Sequence, residues 1–295
     1  MQAISAYIAL VYGLSIALSV LIGLSGGHES RLIGLSYLSM FLPAIAVALV
    51  YAATKEAPLV CWRCFRWSYL PMALFLMPAV LHLTMLPIMA AINGVLQWQD
   101  WLTPGSDGLY YTPLPRGWGT LTIQGLVGHI VLNALVGLAV VSFMAFFEEI
   151  GWRAWLLPRL VDRLGPRRAV VAVAILWALW HVPFELSGIQ HINGVSPIKL
   201  AWVVPPGTMA SGLILGWLWL RTKSVWLLAL THGALNNWGQ YAFKFMKNSV
   251  SPDRDLLVLS AGSLALMVVG ILLLWRDRDA HQELGREETH PFLRG

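Results

Sequence analysis

Apolar residues run in eight long stretches along the chain, at about 3–24, 32–53, 69–92, 130–157, 169–187, 201–220, 225–243 and 256–275. Each is close to the roughly 20 residues that carry a helix across a hydrocarbon core about 30 Å thick. The pattern predicts an all-α, polytopic membrane protein of about eight transmembrane helices. It reads as a single integral membrane domain over 1–295, with any active site inside the bundle. The first stretch has no basic residues before it, and Ser25-Gly26-Gly27 is only a loose cleavage signal, so it is expected to be a retained helix.

Composition agrees with the pattern. Hydrophobic residues make up 57% of the 295 and charged residues only 12%, against about a quarter charged in soluble domains. Of the 20 Lys and Arg, Arg153 lies within a span. Arg31, Arg116, Lys199, Lys244, Lys247 and Arg254 fall on one side, and the other thirteen on the side that holds both termini. Lys and Arg accumulate in cytoplasmic loops, so both termini are expected in the cytoplasm and the protein in the cell (plasma) membrane. Contact with anionic membrane lipids then accounts for the net charge of +5, and no nucleic-acid partner is implied.

The connections carry little chemistry. Residues 93–124 are rich in Trp, Tyr, Pro and Gly, including Trp98, Trp101, Tyr110, Tyr111 and Trp118, which suits an interfacial loop or a cap over a substrate path. Cys61 and Cys64 form a Cys-x-x-Cys pair in a loop expected to be cytoplasmic. Two ligands cannot complete a tetrahedral zinc site, and a disulfide is not expected in that compartment. The reading is therefore a reduced pair beside the membrane, with lipidation or redox chemistry as alternatives. Gly212 and Gly216 permit close helix approach, and Pro183 can kink a span.

Polar residues inside the apolar stretches are few, and they share a depth. Ionised groups at the bilayer centre cost roughly 2.5–3.5 kcal/mol each on insertion scales, which makes them functional candidates. Counted at about 1.5 Å per residue from the nearest basic flank, Glu148, His181, His232 and Asn236 lie at roughly 17, 20, 14 and 20 Å. Residues four apart share a helix face, which pairs Glu149 with Arg153, Trp177 with His181, and His232 with Asn236. Glu149 and Arg153 can neutralise one another. Glu148 points about 100 degrees away, leaving a carboxyl available as a general base. Glu185 lies near the far end of its span. His129 is too far along the helix of Glu148 to join the site, and His82 reads as a packing or hydrogen-bonding group. His28 and His191 fall in loops, and His281 and His290 in the tail.

Glu148-Glu149-Ile150-Gly151-Trp152-Arg153 resembles the Glu-Glu-x-x-x-Arg motif of the CAAX protease and bacteriocin-processing (CPBP, or Abi) family of intramembrane endopeptidases, related to type II CAAX prenyl endopeptidases. Trp177 to His181 is similar to its aromatic-x-x-x-His motif, with Trp in place of the usual Phe, and His232 to Asn236 to its His-x-x-x-Asn motif. The three follow in family order over 146–240. The resemblance implies that Glu148 activates a water against a peptide carbonyl while Glu149 and Arg153 shape the site. His181, His232 and Asn236 would orient the water or stabilise the oxyanion, with Trp177 on the substrate side. It further implies a peptide or lipidated protein as substrate, since eukaryotic relatives trim prenylated Cys-a-a-X termini and others serve peptide maturation or bacteriocin immunity. Entry from the cytoplasmic or leaflet side is expected, because the charges lie there. Catalysis without an obligatory metal is the favoured expectation. Zinc held by His181, His232 and Glu148, with an open position for water, is the alternative. Two other functions compete. One is a non-proteolytic family member that binds a peptide, scaffolds a partner or confers immunity. The other is a proton-coupled transporter, against which stand the missing internal repeat and the single layer of deep polar groups.

Overall fold

A computed structural model of the chain describes residues 2–93, 96–111, 120–192, 194–247 and 251–276. The tail with Arg278, His281, Arg286, His290 and Arg294 lies outside the described residues, as do Arg116 and Trp118 of the aromatic loop.

The helices are α1 (Gln2–Leu24), α2 (Leu42–Thr54, entered through a 3-10 stretch Ile33–Phe41), α3 (Leu70–Asn93), α4 (Ile123–Glu149), α5 (Leu157–Leu164), α6 (Pro166–Leu186), α7 (Pro197–Thr222), α8 (Val225–Trp238), α9 (Tyr241–Phe245) and α10 (Pro252–Arg276). A π-helix, Ile150–Leu156, joins α4 to α5 without a break. The protein is an all-α integral membrane protein, with seven helices among the described residues long and apolar enough to cross a bilayer. A two-stranded ribbon, β1 (Tyr110–Tyr111) and β2 (Thr120–Leu121), pairs Tyr110 with Leu121 in the aromatic loop.

Local chemistry sets the ends. Thr122 caps α4 by accepting from the Gly125 N–H, so this span begins before the apolar run suggests. It ends beyond the expected 157, at Gly165, whose φ of 75° breaks the helix. Ser196 and Ser224 cap α7 and α8 in the same manner.

The eighth expected span, 225–243, forms as a shorter helix. α8 has 14 residues, about 21 Å of helix, and stops at Gly239, whose N–H returns to the Ala234 and Leu235 carbonyls. Thr231, His232, Gly233 and Ala234 are all buried in protein, so α8 is not required to match the lipid thickness.

α1 and α6 run parallel, tied where Tyr12 Oη donates to the Leu176 carbonyl and Trp180 Nε1 to Ser15 Oγ, both at 2.6 Å. α6 and α7 approach through glycine as the spacing predicts. A Cβ on Gly212 would sit 2.9 Å from the Ala174 Cβ, and one on Gly216 2.6 Å from a Val170 methyl. This contact turns Trp177 and His181 of α6 inward.

The 55–66 loop corrects one expectation. Cys61 and Cys64 are joined by a disulfide, Cα to Cα 5.3 Å, rather than standing as reduced thiols. The reason is local: the Cys64 N–H closes on the Cys61 carbonyl, a turn that brings the two sulfurs together. Residues of the aromatic loop are fastened to α9, with Gln99 N–H donating to Phe245 O and Lys247 N–H to Gln97 O.

The π-helix is wedged against the first two helices. A Cβ on Gly151 would lie 2.5 Å from the Pro43 Cβ and 2.6 Å from Tyr7 Oη, so only glycine fits. Gly151→Ala is expected to cost about 1–3 kcal/mol through overpacking, lowering the thermal midpoint in detergent. Gly13→Ala, where a Cβ meets nothing within 4 Å, should leave the midpoint unchanged or slightly raised. Equal midpoints for the two variants would contradict the wedge.

Candidate active site

The centre of the site is a buried ion pair one turn long. Glu149 closes α4, and Arg153 sits in the π-helix. Arg153 Nη1 donates to Glu149 Oε1 at 2.9 Å, and neither side chain has any exposed surface. The wider helical turn, a geometry common at functional sites, keeps this pair on the inner face. The same carboxylate oxygen accepts from Nδ1 of His232 on α8, again at 2.9 Å. Glu149 thus joins α4, the π-helix and α8.

Trp177 on α6 is the second junction. Its Nε1 donates to Glu148 Oε2 at 2.9 Å, and the Arg153 guanidinium lies 4.3 Å over its ring, a cation–π contact between desolvated groups. The imidazoles of His181 and His232 meet it edge-on, with centroids 5.3 and 5.2 Å away. The expectation placed Trp177 on the substrate side. It does line the cavity described below, but it is only 2% exposed and also orients Glu148.

Both histidines are fixed in the same sense. His181 Nδ1 is 2.8 Å from the Trp177 carbonyl, which can only accept, so Nδ1 carries the proton. His232 Nδ1 likewise donates to the Glu149 carboxylate. In each neutral ring Nε2 is then the acceptor. The Asn236 side chain has no hydrogen-bond partner among the described residues, whereas its neighbour Asn237 is committed to the α4 carbonyls of Asn133 and Ala134.

Glu148, Trp177, His181, His232 and Asn236 line one cavity of about 1080 Å³. Glu149 and Arg153 lie behind its wall. The lining continues through His28, Gln190, His191, Gln240, Lys244 and Asp255, all at the end of the bundle opposite the described basic residues of the Arg-rich side, such as Lys55, Arg159 and Lys223. Entry from the cytoplasmic or leaflet side was expected, and the polar part of the lining lies away from the Arg-rich end. The basic groups at that end are occupied in fastening structure: Arg159 holds Glu56 Oε2 and the Ala57 carbonyl, and Arg167 donates to the last carbonyls of α10, Leu274 and Trp275.

Several features had no sequence signal. Tyr7 of α1 is fully buried, packs on Trp155 with centroids 4.8 Å apart, and places its hydroxyl beside Gly151. A single Tyr in an apolar span does not announce this. His28 and His191, from two separate loops, stack at 5.0 Å on the cavity rim. Glu185 is buried with neither carboxyl oxygen hydrogen-bonded, and it does not line the cavity. His82 Nδ1 donates to the Pro78 carbonyl of its own helix and does not line the cavity.

Among the described residues no group of three His, Cys, Asp or Glu side chains is placed to hold a metal ion. Glu149 is committed to Arg153, and the His181 and His232 rings flank Trp177 on separate helices.

Comparison with known proteins points the same way as the motifs. Residues 130–238 match the family of type II CAAX prenyl endopeptidase Rce1-like proteins. Over 131 residues the chain is 26% identical to CAAX prenyl protease 2 of Methanococcus maripaludis. That stretch covers 44% of this chain and 46% of the relative, so the match spans less than half of either. Glu148, Glu149, Arg153, Trp177, His181, His232 and Asn236 all lie within residues 130–238, the segment that is similar to the Rce1-like endopeptidases.

Proposed function

We propose that the protein is an intramembrane endopeptidase that hydrolyses a peptide bond of a membrane-associated or prenylated, CAAX-type protein or peptide. The observation that carries this reading is the shared cavity: a carboxyl, two imidazoles with committed Nδ1 atoms and an uncommitted amide line one space.

Glu148 is the base. The indole of Trp177 holds one carboxylate oxygen and leaves the other to take a proton from water, within the hydrogen-bond reach that general-base catalysis needs. The water attacks the peptide carbonyl, and the developing oxyanion is met by donors preorganised where water is scarce, a term worth about 3–4 kcal/mol per donor. Asn236 supplies such a donor. Nε2 of His181 or His232 accepts from the attacking water or, once protonated, donates to the departing amine. Glu149 and Arg153 act through others: Glu149 sets the tautomer of His232, and Arg153 supports the face of Trp177. The reaction is carried by side chains, without an obligatory metal. The mostly apolar space suits a peptide delivered with a lipid anchor. Both termini are assigned to the cytoplasm by the distribution of Lys and Arg.

Glu148→Gln is expected to lower cleavage of a reporter peptide by about 10³-fold, near the 10²- to 10⁴-fold typical of a general base, with an unchanged thermal midpoint. Glu149→Gln should lower both activity and stability, because Arg153 loses its buried counter-charge, a change that costs about 3–5 kcal/mol. Undiminished cleavage by the Glu148 variant would end the assignment, and a Glu149 variant as stable as the wild type would end the role given to the pair. For the metal, protein shown by elemental analysis to be metal-free should cleave at the full rate. Loss on chelation that zinc alone restores would replace side-chain catalysis with a zinc mechanism.

A further inference from the structure

We propose that Cys61 and Cys64 form a reversible thiol–disulfide modification site, and that the 55–66 loop transmits its state to the two helices bearing Glu148 and His232. The structural coupling stands on the contacts below. Its effect on turnover rests on the endopeptidase reading.

The pair sits in a setting suited to exchange. Both cysteines are half-buried, and exposed Arg63 and Arg66 flank them, the electropositive and accessible surroundings in which thiols are reactive. The loop lies at the Arg-rich end, assigned above to the cytoplasm. Disulfides in that compartment are transient, and serve catalysis or redox sensing rather than permanent bracing. A zinc role would need further ligands, and among the described residues no third ligating side chain joins the two sulfurs.

What separates this loop from an ordinary surface turn is what it holds. The Leu59 N–H donates to the Ala154 carbonyl at 2.8 Å, and Ala154 lies in the π-helix one residue beyond Arg153. Trp155 Nε1 donates to the Glu56 carbonyl at 3.0 Å. Trp62, between the two cysteines, packs at a tilt against Phe146 of α4 and Trp226 of α8, with centroids 6.1 and 5.8 Å apart. Val60 packs on the cluster of Phe146, Ala154, Val225 and Ala229. Phe146 is two residues from Glu148, and Trp226 lies in the first turn of the helix that carries His232. One short loop therefore grips α4, the π-helix and α8 on the side away from the cavity, and the disulfide fixes the turn that aims Trp62.

The reduction balances with a dithiol as the reductant. One of its thiolates attacks a cysteine sulfur, the bond between Cys61 and Cys64 breaks, and a mixed disulfide forms. Its second thiol displaces the mixed bond and leaves as a disulfide. Two electrons pass to the protein, and Cys61 and Cys64 keep the two protons. The freed turn no longer constrains Trp62, and the grip on Ala154 and Phe146 loosens.

The test uses the full chain in lipid nanodiscs, oxidised with diamide or reduced with dithiothreitol, beside a Cys61→Ser/Cys64→Ser variant. Thiol alkylation counts the reduced cysteines, and amide hydrogen exchange reads 57–64 and 146–156. Reduction is expected to expose two thiols and to raise exchange in both segments about tenfold, the order set by opening a short disulfide loop. Reoxidation should restore it, and the double variant should exchange fast under both conditions. Trp62→Ala keeps the disulfide and removes the contact with Phe146, so the response to dithiothreitol should shrink over 146–149 and persist over 150–156, which Leu59 and Glu56 still hold. If exchange over 146–156 is unchanged in wild-type protein whose thiols are shown to be free, the coupling is wrong whatever the cleavage assay gives. Failure to form the bond under diamide overturns it as well. A redox-dependent exchange with no cleavage in either state leaves the coupling standing and sinks only the endopeptidase reading.

Discussion

The buried ion pair between Glu149 and Arg153 is the constraint on which the site depends. A guanidinium with no exposed surface is tolerable inside a membrane bundle only beside a charge of opposite sign, and removing one partner of such a pair is far more harmful than replacing both. Once Arg153 is held by Glu149, its flat face becomes the support for Trp177. Trp177 in turn offers its N–H to Glu148 and its backbone carbonyl to His181. The second acceptor direction of the Glu149 oxygen goes to His232. Four side chains on three helices are oriented by one charge pair, none of whose atoms lines the cavity.

The π-helix makes this arrangement feasible. Glu148 and Glu149 are adjacent, so in a regular helix they point about 100 degrees apart, and one faces the cavity only if the other faces protein. The wider turn after Glu149 returns Arg153 to that protein side and moves Gly151 against Pro43 and Tyr7. α1 and α2, which contribute no catalytic group, thereby become the back wall of the site. Their burial of Tyr7 and packing of Trp155 keep the charge pair dry, and a dry environment is what gives its electrostatics their strength.

How much of this was legible before coordinates follows from the physics of each signal. The membrane architecture was, because a hydrocarbon core demands long apolar runs and the chain has them. Glu148, Glu149, Arg153, His181, His232 and Asn236 were visible as polar residues at one depth, since each costs free energy there and chance does not align them. Their bonding was not visible. Spacing gave Glu149 to Arg153, but the bonds from His232 to Glu149 and from Trp177 to Glu148 cross between helices whose rotation no linear pattern encodes. Nor does a hydropathy count register Tyr7, whose neighbours in α1 look alike. The placement of the cavity's polar lining was not legible for a related reason. Basic residues mark a membrane face, but whether they line an entrance or clamp loops depends on partners such as Glu56 and the α10 carbonyls.

The thickness of protein around the site then divides the labour between its two ends. At the Arg-poor end, the rim residues His28, Gln190, His191 and Lys244 are exposed, so the cavity meets its surroundings through polar groups there. At the Arg-rich end the 55–66 loop, Arg159 and the π-helix are cross-bonded through Leu59, Glu56 and Trp155. A base that met one water and one peptide, as proposed above, would gain from this asymmetry. The cross-bonded end holds the Glu148 carboxyl and the two imidazoles against protein, the kind of fixed placement on which a general base would depend for its reach to a water.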